Sequence, residues 1–427
     1  MRLRLIGASL AAATALGLVA AGCSSGGSSP GSSGSSGSAS SGGHVTLTYW
    51  NGFTGPDEPA VKALVAKFNQ THKNITINMS IMPWDVFYEK LLPAFAAGNG
   101  PDIAAMDTEQ LPQYAAKGVF APLTSYYGNS ANNTSSLVGA AVSATKVKGT
   151  EYAVPANFAT MLLYWNKTLF KQAGLSGPPT TWAQWQADAV KLSKGGSSPQ
   201  YGLALAENNT IPMWPVLIWD NGGGVTNSDA TKSMLSNPAT ISAVEQWSKL
   251  IIKDGIAPKN ITGAEADSLF TAQKAAMEMN GPWATTGYAS AKVNFGLAPV
   301  PAGPKQSLTL ADAVGMSVNA KDTPAKIAAA ETFFTWWNSA STQTYYAVHT
   351  GFVPTNTSVT ASDLTANPDV ADFQKVSTNA QAYLLGTQYT NIETNTWEPA
   401  IEKILEGAPV SSTLSGANAQ VNGYLGG

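Results

Sequence analysis

Residues 45–107 read "VTLTYWNGFTGPDEPAVKALVAKFNQTHKNITINMSIMPWDVFYEKLLPAFAAGNGPDIAAMD". The first six alternate and are rich in β-formers, which marks a strand. Pro56, Asp57 and Glu58 suit the entering turn of a helix, and Val61, Leu64, Val65 and Phe68 then recur at helical spacing. A second alternating strand is expected at 75–82, a helix running to Gly98, and a more buried strand at 102–107. Strand, helix, strand, helix, strand at these lengths predicts a parallel α/β sheet. Open sheets of this kind hold ligands beyond the carboxyl ends of their strands. Trp50, Asn51 and Asp107 occupy those ends.

The rest of the chain continues in the same style. Residues 152–175 read as a strand, a crossing stretch, a second strand and a helix closed by Gly174. Thr180 or Thr181 caps a helix starting at Trp182. Helices are expected at 238–251, at 265–283 (leading into a short strand), at 325–339 and, as the last clear one, at 395–407. Trp185, Trp247, Trp336 and Trp337 stand at helical spacing with other apolar residues and read as core. The run "NGGG" at 221–224 lacks the following Lys-Ser/Thr of a phosphate cradle and reads as a loop.

Composition narrows the function. With 427 residues the chain suits two domains or lobes. A net charge of −3 gives no reason to expect nucleic acid as a partner. The only arginines are Arg2 and Arg4, so the body lacks the favoured clamp for phosphate and carboxylate. The three histidines are far apart and there is one cysteine, so no metal site is expected. No nucleophile elbow, P-loop or zinc-protease helix is present.

Arg2 and Arg4 followed by the apolar run Leu5–Ala21 have the layout of a signal peptide over residues 1–22. An uncleaved anchor is the rival reading, but the run falls short of the ~20 residues that span a bilayer. "AAGC" at 20–23 resembles the lipobox of bacterial lipoproteins, with Ala20 where an aliphatic residue is usual. That resemblance implies that Cys23 is lipidated and begins the mature chain. Ser24–Gly43 is a Ser/Gly tract that reads as a flexible tether, with an average reach of ~25 Å.

Several blocks together resemble one family. They are "YWNGFTGPDEPAVKALVAKFNQTH" (49–72), "YEKLLPAFAAGNGPDIAAMD" (88–107), "LLYWNKTLFKQAGLSGPPTTWAQW" (162–185), "FTAQKAAMEMNGPWA" (270–284) and "TGFVPTNTSV" (350–359). In this order they are similar to the extracellular solute-binding proteins of carbohydrate ABC importers, the maltose-binding-protein type. Gln273 departs from the glycine usual in the fourth block and reads as a surface turn change. The resemblance implies a type II periplasmic-binding-protein-like α/β fold, with discontinuous lobes joined by a hinge and the ligand cleft between them. Lobe one is expected at 44–124 with 300–355, and lobe two at 125–299 with 356–427. It further implies a monomeric, lipid-anchored receptor on the outer face of the bacterial membrane. Such a receptor delivers a neutral mono- or oligosaccharide to a permease, breaks no bond and uses no cofactor.

Saccharides present apolar C–H faces and a rim of hydroxyls, so their sites need flat aromatic platforms and fixed polar groups. Trp283, projected by Gly281 and Pro282, is the first platform, and the family places a stacking Trp there. Trp397 is a second, with core packing as the rival reading. Trp50, Asn51, Phe53 and Thr54 form the first strand-end loop. Asp107 can accept from two hydroxyls, or it can cap the helix that follows. Trp84, Asn157, Phe158, Trp219, Asp220 and Phe352 complete the candidates. Two other functions compete. One is a secreted carbohydrate-active hydrolase, needing two carboxylates ~5–10 Å apart. The other is a binder of a non-sugar solute such as a phosphorylated polyol or a peptide.

Overall fold

The computed structural model describes residues 43–208 and 211–426, so the expected signal peptide and Cys23 lie outside the described residues. The opening stretch forms β1 (Val45–Asn51), α1 (Glu58–Thr71), β2 (Ile75–Ile81), α2 (Trp84–Ala96) and β3 (Ile103–Asp107). β1 lies between β2 and β3 and is parallel to both. The helical spacing read from the sequence is the buried stripe of α1: Val61, Leu64, Val65 and Phe68. α2 buries Phe87, Leu91 and Phe95. Gly98, just past α2, takes φ 75°, the left-handed turn expected of a closing glycine.

The sheet is mixed, where the sequence pattern predicted a parallel one. Beyond β3 it continues with Val314–Val318 and then Val154–Pro155, each antiparallel to its neighbour. Parallel neighbours need a helical crossover. Val314–Val318 instead enters straight from another sheet, one residue after the strand Thr309–Asp312. That other sheet orders Ala380–Ala382, Thr309–Asp312 and Ala159–Thr160. A third sheet is antiparallel, with Leu162–Asn166 between Phe295–Ala298 and Met277–Asn280. Residues 154–166 therefore take part in these three sheets in succession, apart from the two-stranded pair Lys146–Val147 and Thr150–Glu151.

The helix at Trp182–Leu192 is capped by Thr181, whose Oγ1 accepts from the Gln184 N–H at 3.4 Å. Trp185 and Trp247 are fully buried and meet edge to face at 4.7 Å between ring centroids. Trp337 is buried as expected, but Trp336 is only half-buried at the rim, against Phe68 and His72. Consecutive helical residues point about 100° apart, so one of the pair turns outward. The helix predicted over 265–283 is shorter and runs Gly263–Thr271. It stops because Gln273 takes φ 57°, and the strand Met277–Asn280 follows. A helix at Val410–Leu425, unmarked in the sequence pattern, packs Leu414, Ala417 and Val421 inward. No helix among the described residues is long and apolar enough to cross a membrane.

Two stability outcomes follow. Trp247→Ala should cost about 3–5 kcal/mol in urea unfolding, because its ring fills a closed interior. Gln273→Gly should raise stability by about 0.5–1 kcal/mol in the same measurement, since a non-glycine residue in the left-handed region carries a penalty.

Candidate functional site

A cleft of about 540 Å³ opens between the loop after β1 and the segments around Thr262 and Trp283. It runs into a second cavity of about 430 Å³ beside α2 and Tyr389. Trp84, Asp85, Asp107 and Ile211 line both.

Each wall carries a tryptophan laid on bare backbone. A methyl added at Gly52 would sit 2.0 Å from the Trp84 ring, and one at Gly281 would sit 2.1 Å from the Trp283 ring. The two indoles thus lie flat against glycines that no other residue could replace without moving the ring. Trp84 is braced by Phe53, edge-on at 5.7 Å, and stacks on Tyr88 at 5.8 Å. Trp283 leans on Phe352 at 5.9 Å. Phe352 in turn stacks on Tyr346 at 5.4 Å. Both indoles keep part of their surface free.

The polar groups are fixed as firmly. The Tyr88 hydroxyl donates to Asp107 Oδ2 at 2.6 Å and accepts from the Asp107 N–H at 2.9 Å. Asp107 is therefore not the cap of the following helix, whose N-terminal residue Gln110 makes no side-chain cap bond. Asn157 Oδ1 accepts from the Val314 N–H at 2.9 Å, and its Nδ2 donates to the Tyr346 hydroxyl at 3.3 Å. Asp267 accepts from Asn280 Nδ2 at 2.6 Å and from the Tyr288 hydroxyl at 3.0 Å. Burial lifts Asp57 and Asp107 to about 6. It lifts Asp312 to about 8, with the Asp107 charge adding to the effect. Glu109 is held well above the ordinary carboxylate range, by burial first and then by Asp312 and Asp107. Among the described residues, the lining of both cavities includes no lysine, arginine or histidine.

Of the residues singled out from sequence, Phe53, Thr54, Trp84, Asp107, Asn157, Trp283 and Phe352 line the cleft. Six others do not line either cavity. Trp50 packs with Phe87, Leu91 and Met106, because strand alternation points it under α2. Asn51 is fully buried, and its Oδ1 accepts from the Phe53 N–H, which shapes the loop instead of meeting solvent. Phe158 is buried in the cluster holding Tyr164 and Phe373. Trp219 is buried against Tyr383. Asp220 is buried where Oδ1 accepts from the Leu308 N–H at 2.7 Å, tying down the 305–308 segment. Trp397 is 2 % exposed within the main core, the rival reading given for it above.

Asp57, Asp267 and Asp312 line the first cavity, and Tyr88, Glu109, Tyr389 and Glu398 the second, without having been singled out. Asp57 was read only as a helix-entry residue. Asp312 carried a usable signal, a lone acid inside the apolar run "LTLADAVGM".

Residues 54–344 match the model of the bacterial extracellular solute-binding protein family. A Brucella abortus (strain 2308) protein described as a binding protein is 28% identical over 348 residues, 79% of this chain and 82% of that one. An ABC substrate-binding protein of Listeria monocytogenes, solved in complex with cycloalternan, superposes with a TM-score of 0.81 at 22% identity. That alignment covers 90% of this chain and 99% of that one. UgpB from Mycobacterium tuberculosis, solved with glycerophosphocholine, gives a TM-score of 0.81, 22% identity and the same two coverages, 90% and 99%.

The buried acids set a pH dependence. Asp57, Asp107 and Asp312 hold protons in the fold that the unfolded chain, near 3.8, has released. Their contribution is full below the unfolded value and is lost as pH rises through about 6 to 8. The melting temperature should therefore fall from about pH 5 to about pH 8.5, and Asp312→Asn should flatten that fall.

Proposed function

The chain belongs to the bacterial extracellular solute-binding protein family and has its type II periplasmic-binding-protein fold; from that premise we propose that its ligand is a mono- or oligosaccharide without an anionic group, held between Trp84 and Trp283. The observation that carries this reading is a cleft with an indole on each wall, carboxyls between them and no cationic side chain among its described residues. Indole faces match the C–H faces of sugar rings. Fixed carboxyl and amide groups match the hydroxyl rim. A phosphate would find a row of carboxyls and no cationic side chain among the described residues to pair with, which argues against a glycerophosphate of the kind present in the UgpB structure.

The mechanism is lobe closure. We place the lobes at 44–124 with 300–355 and at 125–299 with 356–427. In support, the five-stranded sheet draws β1–β3 and Val314–Val318 from the first set. The sheet of Leu162–Asn166, Met277–Asn280 and Phe295–Ala298 draws on the second. Val154–Pro155 belongs to the second set by sequence and pairs in the first set's sheet, so the connection runs through it. A ligand touching both walls only when they approach shifts the population toward the closed form. A permease that recognises that form then receives the sugar with no bond broken. Cys23, lipidated, and the tract to Gly43 would hold this receptor near its permease.

Calorimetry with maltose-, xylo- and manno-oligosaccharides, sn-glycerol 3-phosphate and glycerophosphocholine tests the ligand class. Micromolar binding of a saccharide without turnover is expected; tighter binding of a phosphate solute, or hydrolysis of any oligosaccharide, would overturn it. Trp283→Ala should weaken saccharide binding by about 2–4 kcal/mol, as loss of an aromatic anchor does. Cys23→Ser should move the protein from the membrane fraction to the medium with its sugar affinity intact.

A further inference from the structure

The two cavities of the cleft carry eight carboxyl side chains and, among the described residues, no basic one. The whole chain has 27 acidic against 24 basic residues, so the imbalance is local. It is densest at Asp107, Glu109 and Asp312, where the cavities meet. Asp312 lines the first cavity yet is only 4 % exposed, and its Oδ1 accepts no hydrogen bond from any described group. Its carboxyl faces that of Glu109, itself 8 % exposed. Two acceptors opposed in this way are satisfied only by a proton kept between them or by a donor from outside. Trp84 and Tyr88, stacked at 5.8 Å, stand beside this cluster, with the Tyr88 hydroxyl on Asp107. No set of three or more acids or imidazoles among the described residues is arranged to hold a metal ion.

We propose that the cleft also takes, and prefers, saccharides in which a basic amine replaces a hydroxyl, the ammonium donating to Asp312 and Asp107 against the Trp84 face. This rests on the saccharide reading and extends its ligand class. An ammonium brings three donors and no acceptor to a place that has acceptors in excess. Charge-assisted hydrogen bonds are roughly twice as strong as neutral ones, and an indole face attracts a cation. On binding, the proton shared by the Asp312 and Glu109 carboxyls leaves to solvent, and the ammonium supplies the missing positive charge. An uncharged sugar can be held only while the pair keeps that proton.

The test compares pairs that differ in one substituent class. Maltotriose is set against 6-amino-6-deoxymaltotriose, and cellotriose and N-acetylated chitotriose against the fully deacetylated glucosamine trimer, by calorimetry at neutral pH. For the linkage that binds, the amino member should bind at least tenfold more tightly. Its heat should vary with buffer ionisation because a proton is released. Asp312→Asn and Glu109→Gln, each checked for folding by its melting curve, should remove most of that advantage. Equal or tighter binding of the uncharged member, or an advantage that survives both substitutions, overturns this inference and leaves the saccharide reading standing. Binding of sn-glycerol 3-phosphate with no saccharide bound in either form would instead overturn the saccharide reading, and this inference with it.

Discussion

The cleft depends on contact between an indole and a stretch of backbone that has no side chain. Gly52 and Gly281 leave no room for even a methyl group, and on each lies a tryptophan. The glycines sit at equivalent places, just past the ends of β1 and of the strand Met277–Asn280. Because the ring rests on main chain, its position is set by the sheet and not by a flexible neighbour. Phe53 edge-on and Tyr88 stacked then brace Trp84, and Phe352, itself stacked on Tyr346, braces Trp283. Preorganisation of this sort removes rotamer entropy that a ligand would otherwise have to overcome.

Between the two platforms the protein tolerates an arrangement that most interiors avoid. Buried carboxyls crowd together with no counter-charge, and they remain stable by holding protons and by sharing donors. The Tyr88 hydroxyl donates to Asp107, and Tyr288, behind the other wall, donates to Asp267. Such a floor can give or accept hydrogen bonds according to what enters, which suits a rim of hydroxyls. It offers a phosphate no cationic side chain among the described residues.

The opening βαβαβ unit was legible because its burial stripes follow the periods of strand and helix closely, as α1 shows with Val61, Leu64, Val65 and Phe68. The mixed sheet was not, because antiparallel entry of Val314–Val318 depends on a partner two hundred residues away. Of the residues expected at strand ends, Phe53, Thr54, Asp107 and Trp283 do line the cleft. Trp50 and Trp219 misled because an aromatic beside a turn looks the same in sequence whether it faces a cleft or a core. Asp312 and Glu109 were missed for the opposite reason. They come together only in the fold, and acids from distant segments give no local pattern.

The passage of residues 154–166 through three sheets has a mechanical consequence. One sheet can turn against another only where the chain leaves one ladder for the next. The short ones are 156–158, Met161 and the single residue Ala313, beside longer passages at 299–308 and 319–379. Two of them adjoin groups that face the cleft, Asn157 and Asp312. A group bonded there would act on the joint itself, with almost no lever arm, so that a small displacement in the cleft would become a large angle at the far edge of a sheet.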